Sequence, residues 1–348
     1  MTDQNQTDGK KVFVTRLIPQ AGLDLLENAG ASLTIHQRDE EAGVERAALL
    51  DGVRSHDVLL PLLTEPIDRE VMEANSGLLG IAQMAVGYNN IDVAVATELG
   101  LPVANTPGVL TEATADFTWA MLMAIARRIP ESHNYMVGGR YKIWGPNLLL
   151  GSDIGTGPDG ERKVLGIIGY GRIGEAVARR ATGFDMRILA HDPFARELID
   201  KDEKVTWAEL DELLEQSDYV SLHPPLTPET HHLIDAAALA RMKETAYLIN
   251  AARGPIIDET ALVEALRSNS IAGAALDVFE DEPAMKPGLA ELPNAALFPH
   301  IASATHATRS RMATMAAENA LAHLEKRPAP NVVNPEVYET EAYRRRTS

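Results

Sequence analysis

What most constrains the fold of this chain is the position of its glycine run, GYGRIG. It falls directly after a strand-like segment, KVLGII, and opens a helix-like one, RIGEAVARRAT. A strand that passes through a tight glycine turn into a helix begins a β-α-β unit, and such units assemble into parallel sheets. Gly169, Gly171 and Gly174 divide three tasks: the tight turn, the close approach of main chain to a pyrophosphate, and close helix–strand packing. Unpaired N–H groups at the start of the helix face the same phosphates. Tyr170, Arg172 and Ile173 fill the run and are expected beside a dinucleotide held there.

The same alternation runs through the rest of the chain. KVFVTR from Lys11, ASLTIHQ from Ala31, DVLLPLL from Asp57, LLGIAQMA from Leu78 and LPVANT from Leu101 are short apolar runs with helix-length spacers. This is the pattern of a mostly parallel sheet. After Lys163 come KVLGIIGY, MRILAHD, DYVSLHP, AYLINAAR, IAGAALDVF and AALFPHIA, with helical spacers such as ETALVEALRSN. Two doubly wound α/β domains are expected, and 348 residues with 45% hydrophobic content can bury a core in each.

Between the two sets, TEATADFTWAMLMAIARR from Thr111 reads as a long apolar helix. Arg127 and Arg128 suit its negative end, and Pro130 blocks its continuation. A helix this apolar packs inside one subunit or at a subunit interface, and the second reading makes the protein a homodimer. WGPNLLLGSDIGTGPDGERK then reads as an extended connection. After His300, Met312, Met315, Ala316, Ala320 and Leu324 recur at helical spacing, which is a packing stripe.

A net charge of −18 disfavours nucleic acid and anionic membranes as partners. No apolar run approaches the roughly 20 residues of a membrane span, and the N-terminal MTDQNQTDGKK lacks a signal peptide's apolar segment. The absence of cysteine removes disulfides and thiol chemistry and fits a reducing, cytoplasmic location. Arg344, Arg345 and Arg346 read as a solvated tail. His231 and His232 read as surface histidines, because no further ligands lie at metal-site spacing; no metal is expected.

Asp192 lies eighteen residues after Gly174, at the end of MRILAHD, with Pro193 next. A carboxylate there accepts hydrogen bonds from the adenosine ribose and repels a 2′-phosphate, favouring NAD(H) over NADP(H). Arg196 nearby leaves NADP(H) open.

An ordered series of further segments completes the picture: MAVGYNNID, NTPGVLTEATAD, HPPLTPET, NAARGPIID, GAALDVFEDEP and PHIASATH. With these the chain resembles the D-isomer-specific 2-hydroxyacid dehydrogenases from about Lys11 to Pro335, and within them the glyoxylate/hydroxypyruvate reductases. The resemblance implies a Rossmann NAD-binding domain, 109–307 with a dimerisation helix at 111–128, inserted into a flavodoxin-like substrate domain, 1–108 and 308–348. The active site is then expected in the cleft between them.

The same resemblance assigns Arg253, Glu282 and His300 as catalytic residues. A 2-oxo acid carries a carboxylate and a ketone. Arg253 offers a planar cationic fork to grip it, His300 a proton near neutral pH, and Glu282 a partner that orients the imidazolium. Glu280 and Asp281 compete for that role, but the pattern sets the carboxylate just before the proline. His223, Pro224, Thr230, Ala251, Ala252, Asp277 and Ala302 are implied cofactor contacts. Leu62, Val86, Gly87 and Trp144 are implied substrate contacts, with the N–H groups of Val86 and Gly87 holding the carboxylate opposite Arg253 and Trp144 entering a partner subunit's site. Gly155 to Arg162 departs from the family as a longer surface hairpin. D-lactate and D-3-phosphoglycerate dehydrogenases, and an NAD-sensing corepressor of the same fold, remain as alternatives.

Overall fold

β1 (Lys11–Arg16), β2 (Ser32–Gln37), β3 (Val58–Leu60), β4 (Gly80–Ala82) and β5 (Val103–Ala104) form one parallel sheet in the order β2-β1-β3-β4-β5. The computed structural model describes residues 7, 9–39 and 42–348, so most of the polar N-terminal segment lies outside the described residues. Strands β3 and β4 are buried along their whole length, whereas the edge strand β2 alternates exposed and half-buried positions. That difference is what apolar runs against an alternating SLTIHQ lead one to expect.

The chain returns to this unit at its end. The helix His306–Leu324 packs on β3, β4 and the helix Gln20–Asn28. Gly22 permits that approach, since a Cβ on it would lie 2.7 Å from the Ala313 carbonyl oxygen. Of the apolar stripe, Met312, Ala316, Ala320 and Leu324 are buried and Met315 is half-buried. Of the terminal arginines, Arg344 and Arg345 are exposed as expected, although on the helix Glu341–Thr347, whereas Arg346 donates to the carbonyls of Leu99, Asn75, Ser76 and Leu78. Four main-chain acceptors clustered at one place draw the guanidinium in, a pattern invisible in a run of like charges.

The second unit holds β6 (Val164–Ile168), β7 (Arg187–His191), β8 (Val205–Trp207), β9 (Tyr219–Leu222), β10 (Tyr247–Asn250), β11 (Gly273–Leu276) and β12 (Ala295–Leu297). They form a parallel sheet in the order β12-β11-β10-β9-β6-β7-β8. Strand order reverses at the β6–β9 pair, the switch point where an α/β sheet binds its ligand. β8 is an addition to the expected strands; three residues, VTW, are too few to give a period.

By contacts the units are Met1–Leu110 with Thr305–Ser348, and Thr111–Ala304. By that division the junctions lie at 110/111 and 304/305. Val109 and Leu110 join the first unit's core, and Thr305 caps the helix His306–Leu324.

The helix Thr111–Ala126 packs within the second unit against β10, β11, β12 and the helix Arg172–Ala181. Its apolar face is therefore satisfied inside the chain, and its composition carries no argument for a dimer. Pro130 does more than stop it: after Arg128 turns left-handed (φ 51°), Pro130 stands in the first turn of a new helix, Ile129–Val137, none of which is buried. The Gly155–Arg162 segment bridges Thr156 to Arg162 and is tied down where Arg162 donates to the carbonyls of Asp185 and Met186.

Candidate active site

The glycine run forms the turn between β6 and the helix Arg172–Ala181. Gly169 has φ +89°, and a Cβ on it would lie 2.4 Å from the Pro224 nitrogen. A Cβ on Gly174 would lie 2.2 Å from the Gly169 carbonyl oxygen, whereas one on Gly171 meets nothing within 4 Å. Two glycines serve internal packing and the middle one leaves main chain open, which fits a pyrophosphate lying over it. Gly171 caps the helix without a side chain, so its first amides are available to an anion; Arg172 is exposed and Ile173 half-buried in that turn.

Tyr170 offers main chain only, because its ring is buried and its hydroxyl donates to Asp202 at 3.0 Å. Its N–H donates to Asp192 Oδ2 at 2.8 Å, and Phe194 N–H donates to Asp192 Oδ1 at 2.9 Å. Main chain thus aims the Asp192 carboxylate, and each oxygen retains a lone pair for a ribose hydroxyl. Pro193 is exposed beside it. Arg196 lies flat on Trp207, 3.7 Å from the ring centroid, with its Nε 3.2 Å from Asp200 Oδ2.

His223 and Pro224 follow β9 and pack beside Gly169. Enclosure pulls the His223 imidazolium down to about 3, so the ring is neutral near pH 7, with Nε2 2.8 Å from the Ser221 hydroxyl. The Thr230 hydroxyl donates to the Pro225 carbonyl at 2.7 Å and accepts Thr227 N–H at 2.8 Å, bracing the HPPLTPET turn. Ala251 and Ala252 follow β10, where Ala252 N–H donates to Asn250 Oδ1 at 3.0 Å.

Arg253 comes next, its Nη1 donating to the Ala252 carbonyl at 2.6 Å. Burial pulls its pKa below the ordinary value while Glu282 opposes the shift; a guanidinium so far from neutrality stays charged. Glu282 Oε1 lies 2.7 Å from His300 Nδ1. With Nδ1–H turned to the carboxylate, Nε2 is the nitrogen left to face a reactant. His300 adopts φ +54°, and its N–H donates to the Asp277 carbonyl at 2.9 Å.

Asp277 is fully buried, and its carboxylate accepts Ile301 and Ala302 N–H, each at 2.8 Å. It holds the left-handed turn that presents His300. Burial pushes its carboxyl pKa up, against the pull of those two amides and His300. The two competitors of Glu282 are engaged elsewhere: Glu280 Oε1 with His232 Nε2 at 3.1 Å and Asp281 Oδ2 with Lys286 Nζ at 2.7 Å. His232 is accordingly not a bare surface histidine, although His231 is exposed. No cluster of three or more potential metal ligands occurs among the described residues.

In the first unit, Leu62 follows β3 and its N–H donates to Glu65 Oε2 at 2.7 Å. Val86 and Gly87 lie in the loop after β4. Thr106 N–H donates to the Ala85 carbonyl at 2.8 Å, Asn105 Nδ2 to Val86 at 2.8 Å and Gln83 Nε2 to Gly87 at 2.6 Å. A trans peptide points its C=O and N–H in opposite directions, so the N–H groups of Val86, Gly87 and Tyr88 turn away from these donors. The buried amides of Gln83 and Asn105 were not anticipated; a glutamine inside the apolar run LLGIAQMA was the available signal. Trp144 is 73% exposed.

Residues 119–302 match the family model described as D-isomer specific 2-hydroxyacid dehydrogenase, NAD binding domain. The chain is 50% identical over 329 residues to a glyoxylate reductase of Korarchaeum cryptofilum, covering 94% of this chain and 96% of that one. A glyoxylate reductase of Thermococcus gammatolerans is 44% identical, at 94% and 96% coverage. Among solved structures, a Thermus thermophilus protein is similar at TM-score 0.84 and 45% identity, over 93% of this chain and 99% of that one. The NADPH-dependent glyoxylate/hydroxypyruvate reductase of Sinorhizobium meliloti, in complex with NADP and malonate, gives TM-score 0.77 and 30% identity, over 93% and 96%.

Proposed function

Because the chain belongs to the D-isomer-specific 2-hydroxyacid dehydrogenases, we propose that it reduces glyoxylate or hydroxypyruvate to the corresponding 2-hydroxy acid, of D configuration where that product is chiral, with NADH as the preferred reductant. The observation that carries this reading is the 2.7 Å contact between His300 Nδ1 and Glu282, on the same unit as Arg253. The bound dinucleotide supplies the hydride. Arg253 grips the substrate carboxylate and polarises the ketone, and the outward amides of Val86 and Gly87 bind the same carboxylate. His300 Nε2 delivers a proton to the oxygen that gains charge, and Glu282 stabilises the imidazolium before that transfer. Leu62 and Trp144 bound the side-chain pocket.

Asp192 supports NADH, since a carboxylate aimed by two amides repels a 2′-phosphate. The cytoplasm suits a chain without cysteine, and no helix among the described residues is long and apolar enough to cross a membrane. A homodimer is supported by the segment after Arg128, where Ile143 is 82% exposed and Trp144 73%.

The test is a panel of 2-oxo acids with NADH and NADPH, followed at the nicotinamide absorbance band. Glyoxylate and hydroxypyruvate should turn over fastest, and His300→Ala should remove turnover. Absence of turnover with every small 2-oxo acid would instead favour a cofactor-sensing role.

A further inference from the structure

We propose that Glu259 is a positioning residue for the His300–Glu282 pair: its buried carboxylate clasps both ends of the turn that carries Glu282. The inference rests on the reading of His300 as proton donor. Glu259 is 3% exposed and begins the helix Glu259–Ser268. A carboxylate there would ordinarily serve its own helix. Here Asp258 already caps that helix by accepting Ala261 N–H at 2.9 Å, so Glu259 is free to reach across.

Its Oε2 accepts Glu280 N–H at 2.8 Å and its Oε1 accepts Lys286 N–H at 2.6 Å. Glu280 answers by accepting Glu259 N–H on its Oε2 at 3.1 Å. Between the two clasped amides, Ala284 N–H donates to the Asp281 carbonyl at 2.9 Å, closing a turn with Glu282 and Pro283 at its centre. His232 and Lys286 face Glu280 from outside, and Lys286 also pairs with Asp281.

The same clasp reaches Arg253. Gly254, next to it in sequence, packs so tightly on the Phe279–Glu280 main chain that a Cβ would lie 1.8 Å from the Phe279 oxygen. The segment running from Arg253 to Glu259 and the turn from Glu280 to Lys286 are thereby joined at both ends. The two amide donors meet different oxygens of one side chain, and a carboxamide would put an NH2 donor against one of them. Loss of either bond frees the base of the turn and with it the 2.7 Å contact on His300 Nδ1. Glu282 and Asp277 carry the charges that act on that imidazole, and Arg253 acts on Glu282 in turn.

The experiment compares wild type, Glu259→Gln, Glu282→Gln and the double variant, measuring kcat/KM for reduction against pH and NADH affinity by fluorescence. Expected for Glu259→Gln is a loss of about tenfold at pH 7.5 and an alkaline limb moved to lower pH by about one unit, with NADH affinity unchanged. In the Glu282→Gln background the same substitution should change kcat/KM by less than about twofold, because the pair it positions is already broken. If Glu259→Gln does not yield folded protein, Glu259→Asp, which keeps the charge but is too short to hold both amides, is read in its place with the same expected outcomes. A loss equal at every pH, and equal in both backgrounds, would overturn the proposal by reducing Glu259 to general stability. Retained turnover in Glu282→Gln and His300→Ala would overturn the assignment of the proton donor, and the proposal with it.

Discussion

His323 lies in the last turn of the helix His306–Leu324, 2% exposed, with its ring against the Ile81 main chain. A Cβ on Gly80 would lie 2.5 Å from the ring, so the imidazole is packed on the β4 backbone. Burial pulls its pKa to about 4, against a weaker opposing pull from the Ile81 main chain and with Arg327 acting in the same direction as burial. In the unfolded chain the ring titrates at its ordinary 6.5. Above that value both states hold a neutral ring and the full stability is present. As the pH falls from 6.5 to about 4 only the unfolded state takes up the proton, so stability is lost across that window.

The gap between the two values corresponds to about 3 kcal/mol in full, and about 2 kcal/mol between pH 7.5 and pH 5. His323→Leu keeps the bulk and removes the titration. The variant should gain about 2 kcal/mol relative to wild type on moving from pH 7.5 to pH 5. All three tryptophans, Trp119, Trp144 and Trp207, lie in the other unit, so fluorescence would report the wrong core. Amide hydrogen exchange of peptides covering Gly80–Ala82 and His306–Leu324 reads the correct one, and intrinsic exchange rates cancel in the comparison at each pH. A difference between variant and wild type that is the same at both pH values would refute the neutral, buried imidazole.

Arg253→Lys should lower kcat/KM for glyoxylate about 100-fold, the cost of exchanging a fork for a point charge on a carboxylate, as steady-state kinetics would measure. Asp192→Ala should lower the NADH-to-NADPH ratio of kcat/KM by about tenfold or more; an unchanged ratio would remove the carboxylate from cofactor choice. Arg346→Met leaves the carbonyls of Leu99, Asn75, Ser76 and Leu78 without their donor. It should destabilise the first unit by about 2 kcal/mol, seen as faster exchange in residues 75–80 and 341–347.

The apolar runs placed eleven of the twelve strands among the described residues because parallel strands buried on both faces advertise themselves by composition. β8 escaped for want of length, and the helix Ile129–Val137 for want of an apolar face to read. Arg253, Glu282 and His300 were legible as residue types in an ordered series. What holds them was not. The clasp of Glu259 on Glu280 and Lys286, and the Asp277 carboxylate beneath His300, join side chains to main-chain amides more than twenty residues away. Such amides belong to every residue and leave no mark in a sequence.

The return of the C-terminal segment to the first sheet sets an order of events at the ribosome. Residues 1–110 emerge with β3, β4 and the helix Gln20–Asn28 lacking the helix His306–Leu324 that packs on them. The second unit, contiguous from Thr111 to Ala304, can close its own core while the first waits. For nearly two hundred residues of synthesis the nascent chain therefore exposes an unfinished apolar surface. The demand for chaperone protection falls on the segment that is translated first.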